Sequence, residues 1–162
     1  MTFTGLKRHV DRALEMILAA VMAAMVLAVL WQVATRYLLR DPSSVTEELA
    51  RFGLMWLGLL GASYGFGQRA HLAIELIPLT WRNRRTRILE LIVAACVAAF
   101  ASLVLIIGGL QLVNATLALG QTSAALQIER GYVYLALPLS GAIILFYTIE
   151  AALPRARDHG SA

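Results

Sequence analysis

Residues 91–110 read LIVAACVAAFASLVLIIGGL, a run without one charged side chain. As an α-helix rising about 1.5 Å per residue, it spans roughly 30 Å, the thickness of a bilayer's hydrocarbon core. A helix that is apolar all round belongs in the core of a large protein or in a membrane. A chain of 162 residues offers no such core. Working outward, apolar stretches cover 16–34, 52–67 and 131–153, and the opening run itself extends over 89–113. Together they predict an all-α integral membrane protein. Its four transmembrane helices fall at about 14–36, 47–67, 88–113 and 131–153, within a single membrane domain over 1–162. The composition agrees, at 59% hydrophobic and 15% charged, where soluble domains lie near 45–50% and about 25%.

Lys7, Arg8 and Arg12 precede the first apolar stretch and could be taken for the start of a signal peptide. That stretch is long enough to span, and Arg36 and Arg40 follow it instead of a small-residue cleavage site, which predicts a retained first helix. The distribution of Lys and Arg then sets orientation. Lys7, Arg8, Arg12, Arg69, Arg82, Arg84, Arg85, Arg87, Arg155 and Arg157 fall on one side; Arg36, Arg40, Arg51 and Arg130 fall on the other. Ten against four, with an even number of spans, predicts both termini in the cytoplasm. The net charge of +4 is therefore assigned to orientation and to anionic lipid headgroups, with no nucleic-acid partner expected.

The connection at about 69–87 mixes apolar residues with Glu75 and an arginine cluster, and Pro78 interrupts any single helix through it. It predicts a short amphipathic segment lying at the interface, with Trp81 at headgroup level. The second span has a start signal in Ser44-x-x-Glu47, a capping-box pattern. Glu47 and Glu48 suit the positive end of the helix dipole, and Arg51 follows Glu47 at ion-pair spacing.

Chemistry is sparse. His9, His71 and His159 all lie outside the predicted spans, which argues against a buried bis-His haem, and none has a metal-ligand partner at helical spacing. Glu15, Glu47, Glu48, Glu90 and Glu150 sit at or near span ends, where water solvates them, so a proton-coupled site within this chain is weakly supported. Ser63, Ser102 and Ser140 lie within spans without a His, and Cys96 is alone. No catalytic, cofactor-binding, metal or substrate residue is assigned. What the spans carry is packing signal: Gly58, Gly61, Ala62 and Gly65 form a small face on the second span. That face serves either the chain's own bundle or another membrane protein. Pro138 should kink the last span by freeing the carbonyl of Tyr134. Gln32, Gln111 and Asn114 are expected to make interhelical hydrogen bonds.

The order of features resembles a known family. Trp31-Gln32-Val33-x-x-Arg36-Tyr37 closes the first span. Thr46-Glu47-Glu48-Leu49-Ala50-Arg51, Trp56-Leu57-Gly58 and Leu60-Gly61-Ala62 follow. Next comes Arg69-Ala70-His71-Leu72-Ala73-Ile74-Glu75, and Tyr134-Leu135-Ala136-Leu137-Pro138 lies in the last span. This set, across about 10–153, resembles the DctQ-like small membrane subunit of tripartite ATP-independent periplasmic (TRAP) transporters. Two departures stand out. Gln127-Ile128-Glu129-Arg130-Gly131 replaces a loop that often holds proline and tryptophan, and Glu75 stands where the family often has Asp.

The resemblance implies a non-catalytic scaffold in the bacterial inner membrane, packed against a large multi-spanning transport subunit. In such systems a periplasmic binding protein captures an organic acid, and the large subunit moves it with a sodium gradient. Sodium is then expected on the partner, with no cofactor on this chain. Whether this chain touches the binding protein stays open. Candidate structural and partner-contact residues are Arg36, Glu47, Glu48, Arg51, Gly58, Gly61, Gly65, His71, Glu75 and Pro138. Glu47, Glu48 and Arg51 are expected to form a polar network, and His71 with Glu75 to anchor the interfacial connection. The alternatives are an autonomous small four-helix exporter and a membrane-anchor subunit of a redox enzyme.

Overall fold

The computed structural model describes residues 3–39, 43–75 and 84–157. Among these the chain is helical, with one isolated bridge, Thr122 to Glu129, inside a loop. Helix α1 (Phe3–Ala34) runs on into a π-helical stretch, Thr35–Leu39. Helix α2 covers Ser44–Glu75. Helix α3 (Arg84–Phe100), a π-helical stretch (Ala101–Gly108) and α4 (Gly109–Ala118) follow end to end. A loop then leads to α5 (Arg130–Tyr134) and α6 (Ala136–Arg157).

Three segments among the described residues are long and apolar enough to cross a membrane: Lys7–Leu38, Leu91–Ala118 and Arg130–Ala151. They coincide with the first, third and fourth expected spans. The second expected span lies on α2, which has the length but is not one of the three. Its opening turns carry Glu47, Glu48 and Arg51, and glycines recur along it. The interfacial segment takes a different form from the expectation over its first part, because residues 69–75 continue α2 as helix. The remainder of that connection, 76–83, with Pro78 and Trp81, lies outside the described residues.

The helix ends follow local chemistry. Ser43, one residue ahead of the expected box, caps α2: its Oγ accepts from the Thr46 amide at 3.5 Å, while the Thr46 hydroxyl donates back to the Ser43 carbonyl at 3.0 Å. Glu47 is thereby released to pair with Arg51 instead of closing a capping box. The last span is broken at Leu135 between α5 and α6, as a proline three residues on requires. Pro138 has no N–H to give Tyr134.

The core forms where α1, α2 and α6 meet. Leu14, Leu60 and Tyr147 are buried there, with Val10, Leu18, Trp56, Tyr64, Phe66, Ile143 and Phe146 around them. A second contact joins α6 to the π-helical stretch, with Ala101 and Leu105 buried beneath it. At Gly141 the two approach so closely that an added Cβ would lie 2.8 Å from Leu105 Cβ and 3.1 Å from the Ala101 carbonyl. Ser63 ties α2 to α6 in the interior, donating to Leu59 O at 2.8 Å and to Ser140 O at 3.3 Å. Outside, large apolar side chains face away from the protein, among them Leu27, Trp31 and Leu91, each at least 60% exposed. Such a surface would aggregate in water, but hydrocarbon solvates it.

Candidate partner-contact site on the second helix

Eight of the ten candidate residues lie on α2, so this helix carries the site. Its head divides into two arrangements instead of the expected three-residue network. Arg51 Nη2 donates to Glu47 Oε1 at 3.1 Å, with side chains 70% and 60% exposed, so this pair stands on the outer surface. Glu48 turns the other way, toward the loop between α4 and α5. Its Oε2 accepts from the amides of Ala125 at 2.8 Å and Leu126 at 3.0 Å.

Glu48 precedes the apolar stretch that opens at Phe52. The loop that supplies these donors is itself braced. Ser123 N donates to Ile128 O and Arg130 N to Gln121 O, both at 2.9 Å. Gly120 and Gln127 take positive φ values of 58° and 52° to turn the chain at either end.

Further along α2, a Cβ added at Gly58 or Gly65 would meet nothing within 4 Å, and one at Gly61 would only graze Leu18 Cδ2 at 3.9 Å. Ala62 and Leu54 are exposed on the same side. Close approaches within the bundle fall elsewhere, among them Gly53 against Met25 Cγ (2.7 Å), Gly67 against the Tyr147 ring (2.7 Å) and Gly141. The small face picked out by spacing is thus open in this chain. Helix α2 ends with His71 and Glu75 in its last turns; their side chains lie outside those described. Arg36 is exposed on the π-helical stretch after α1. Pro138 packs its ring against α4, where a Cβ on Gly109 would sit 3.0 Å from Pro138 Cδ.

The sequence model described as "Tripartite ATP-independent periplasmic transporters, DctQ component" matches residues 25–158. The chain belongs to this DctQ family. A relative in Vibrio cholerae, "Sialic acid TRAP transporter small permease protein SiaQ", is 31% identical over 152 residues, covering 93% of this chain and 85% of the relative. A second in the same species, "C4-dicarboxylate TRAP transporter small permease protein DctQ", is 30% identical over 104 residues, or 64% of this chain and 45% of the relative. In Oleidesulfovibrio alaskensis, "Isethionate TRAP transporter permease protein DctMQ" is 28% identical over 155 residues, which is 90% of this chain and 24% of that one. As a DctQ component the chain is a transmembrane part of a transporter and not an enzyme, which leaves the redox-anchor alternative without support.

Sequence reasoning missed the polar assembly at the opposite end of this DctQ-family fold. Lys7 Nζ pairs with Glu150 Oε2 at 3.1 Å, the Tyr64 hydroxyl donates to Glu15 Oε1 at 2.6 Å, and the Tyr147 hydroxyl donates to Asp11. These contacts join α1 to α2 and α6. The i, i+4 spacing of Lys7, Asp11 and Glu15 marks one face of α1 and was the available signal. Gln111 and Asn114, expected to bond between helices, are exposed and make no side-chain hydrogen bond among the described residues.

Proposed function

We propose that this chain is the non-catalytic scaffold subunit of a sodium-coupled, binding-protein-dependent importer of organic acids in the bacterial inner membrane. It crosses four times, with α2 as the fourth membrane helix and both termini in the cytoplasm, and it packs against a large multi-spanning transport subunit. The observation that carries this reading is the DctMQ permease, in which a sequence like this chain occupies about a quarter of a longer polypeptide. A small permease protein that recurs within a longer permease chain is one that works beside another membrane domain. Relatives named for sialic acid, C4-dicarboxylate and isethionate support an organic acid as the cargo class.

The open face of α2 supports the same reading. Gly58, Gly61 and Gly65 allow a partner helix to approach closely. Glu47 and Arg51 supply a charged pair at the head of that face, and Arg36 an exposed cation on the neighbouring helix. Glu48 holds the α2 head in place, Pro138 sets the bend of the last span, and His71 and Glu75 anchor the connection that follows α2.

The test is mild detergent extraction from native membranes, affinity capture of this chain, and mass spectrometry of what accompanies it. A large polytopic protein in near-stoichiometric amount is expected. Recovery of this chain alone as a homo-oligomer would overturn the scaffold reading in favour of an autonomous exporter.

A further inference from the structure

The loop between α4 and α5 aims its donors at one point. Two consecutive amides, of Ala125 and Leu126, donate to the Glu48 carboxylate at 2.8 and 3.0 Å, with the Ser123 hydroxyl beside the second of them. Consecutive inward-facing amides form the concave nest that binds anions in many folds. This nest owes its shape to contacts that do not involve Glu48. The bridge between Thr122 and Glu129 closes the loop, and Ser123 N bonds Ile128 O at 2.9 Å. Ser123 Oγ accepts from Leu126 N at 3.3 Å, which fixes the hydroxyl with its proton free for a carboxylate. Ser123 itself is 2% exposed.

The occupant comes from another helix, 77 positions away in sequence from Ala125. The turn therefore holds Glu48 as it would hold a ligand.

We propose that the Ser123–Leu126 turn is a carboxylate-binding site whose resident ligand is Glu48, and that a free monocarboxylate of the size of formate or acetate occupies it when that side chain is withdrawn. Donors already in place lose little freedom on binding, so the emptied site retains its preference for a carboxylate oxygen. The attachment of the α2 head to the loop is then an exchangeable contact, open to competition from carboxylates at that end of the protein.

The test uses the full-length chain in detergent. Thermal unfolding of Glu48→Ala is followed while sodium acetate or formate is titrated in, against sodium chloride and sodium sulfate at equal ionic strength. A saturable rise of a few degrees in the midpoint is expected with the carboxylates alone. It should be absent from the wild type, whose site is filled, and weakened when Ser123→Ala is added. An equal response to chloride or sulfate, an equal response in the wild type, or no response in E48A would each overturn the proposal. Should E48A not fold, Glu48→Gln keeps the side chain's shape with a weaker, neutral acceptor. Acetate should then move the amide resonances of Ala125 and Leu126 saturably in E48Q, and unmoved resonances would overturn the assignment.

Discussion

Two kinds of glycine in this chain should respond oppositely to the same substitution. In Gly141→Ala the new Cβ meets Leu105 Cβ at 2.8 Å, Ile106 Cγ1 at 2.9 Å and the Ala101 carbonyl at 3.1 Å. Carbon atoms rest at about 3.5–4.0 Å. Leu105 Cβ and the Ala101 carbonyl are rooted in the backbone and cannot rotate aside, so α6 and the π-helical stretch must separate by most of an ångström. Overpacking of this kind costs about 1–3 kcal/mol, and alanine's better helix propensity returns about 0.8–1.0 kcal/mol. The net loss is roughly 0–2 kcal/mol, or up to about 8 °C in unfolding midpoint at 2–4 °C per kcal/mol. A Cβ added at Gly58 or Gly65 finds nothing within 4 Å, so the midpoints of Gly58→Leu and Gly65→Leu should hold or rise slightly. If the open face docks a partner helix, these two variants should lose co-purification with the large subunit while G141A keeps it in proportion to its folded fraction. Thermal unfolding in one detergent and partner yield by densitometry read both quantities. A G141A midpoint above that of the wild type, the result of helix propensity acting alone, would refute the packing argument. Full partner yield with Gly58 and Gly65 both replaced by leucine would refute the docking face.

Other consequences can be measured singly. Arg51→Ala breaks an exposed i, i+4 pair, an interaction worth about 0.3–0.5 kcal/mol, so folding should be almost untouched. A marked loss of transport in R51A would then place the side chain against a partner, and normal transport would leave it a surface pair. Tyr147→Phe keeps the ring packing but removes the hydroxyl bonded to Asp11. A loss of about 1 kcal/mol is expected, and the added change Asp11→Asn should cost less in that background than in the wild type, as a double-mutant cycle would show.

The apolar runs were legible because lipid makes a one-dimensional demand: enough consecutive apolar residues to cross, whatever lies beside them. Spacing within one helix was also informative, and it placed Arg51 beside Glu47. It could not place Glu48, because the donors on the loop are backbone amides 77 and 78 positions away, and an amide leaves no mark in a sequence. The same limit applies to glycine. Gly58, Gly61 and Gly65 share a face by spacing, but spacing does not say what fills it, and tight contacts fell to Gly53, Gly67 and Gly141. The cap moved from Ser44 to Ser43 because Thr46 could close a reciprocal pair with Ser43, a choice between neighbouring serines that pattern alone leaves balanced. The tyrosine–carboxylate contacts join residues 49 and 136 positions apart, beyond any local rule.

These long-range ties explain why α2, the least apolar of the long helices, is also the natural carrier of a contact surface. Lipid offers no hydrophobic drive to hold helices together, so α2 is fixed by a few directed contacts: Glu48 to the loop at its head, Ser63 to α6 at its middle, and Tyr64 to α1 one residue further on. All of these lie on the sides of α2 that face its own bundle. The outer side carries small residues with Leu54 among them and one exposed ion pair at its head. A helix held in this way presents that side with its backbone already ordered, and a partner that covers it loses little conformational freedom from α2 on docking. By the same reasoning, loosening the ties should weaken partner binding even where no contacting residue is changed.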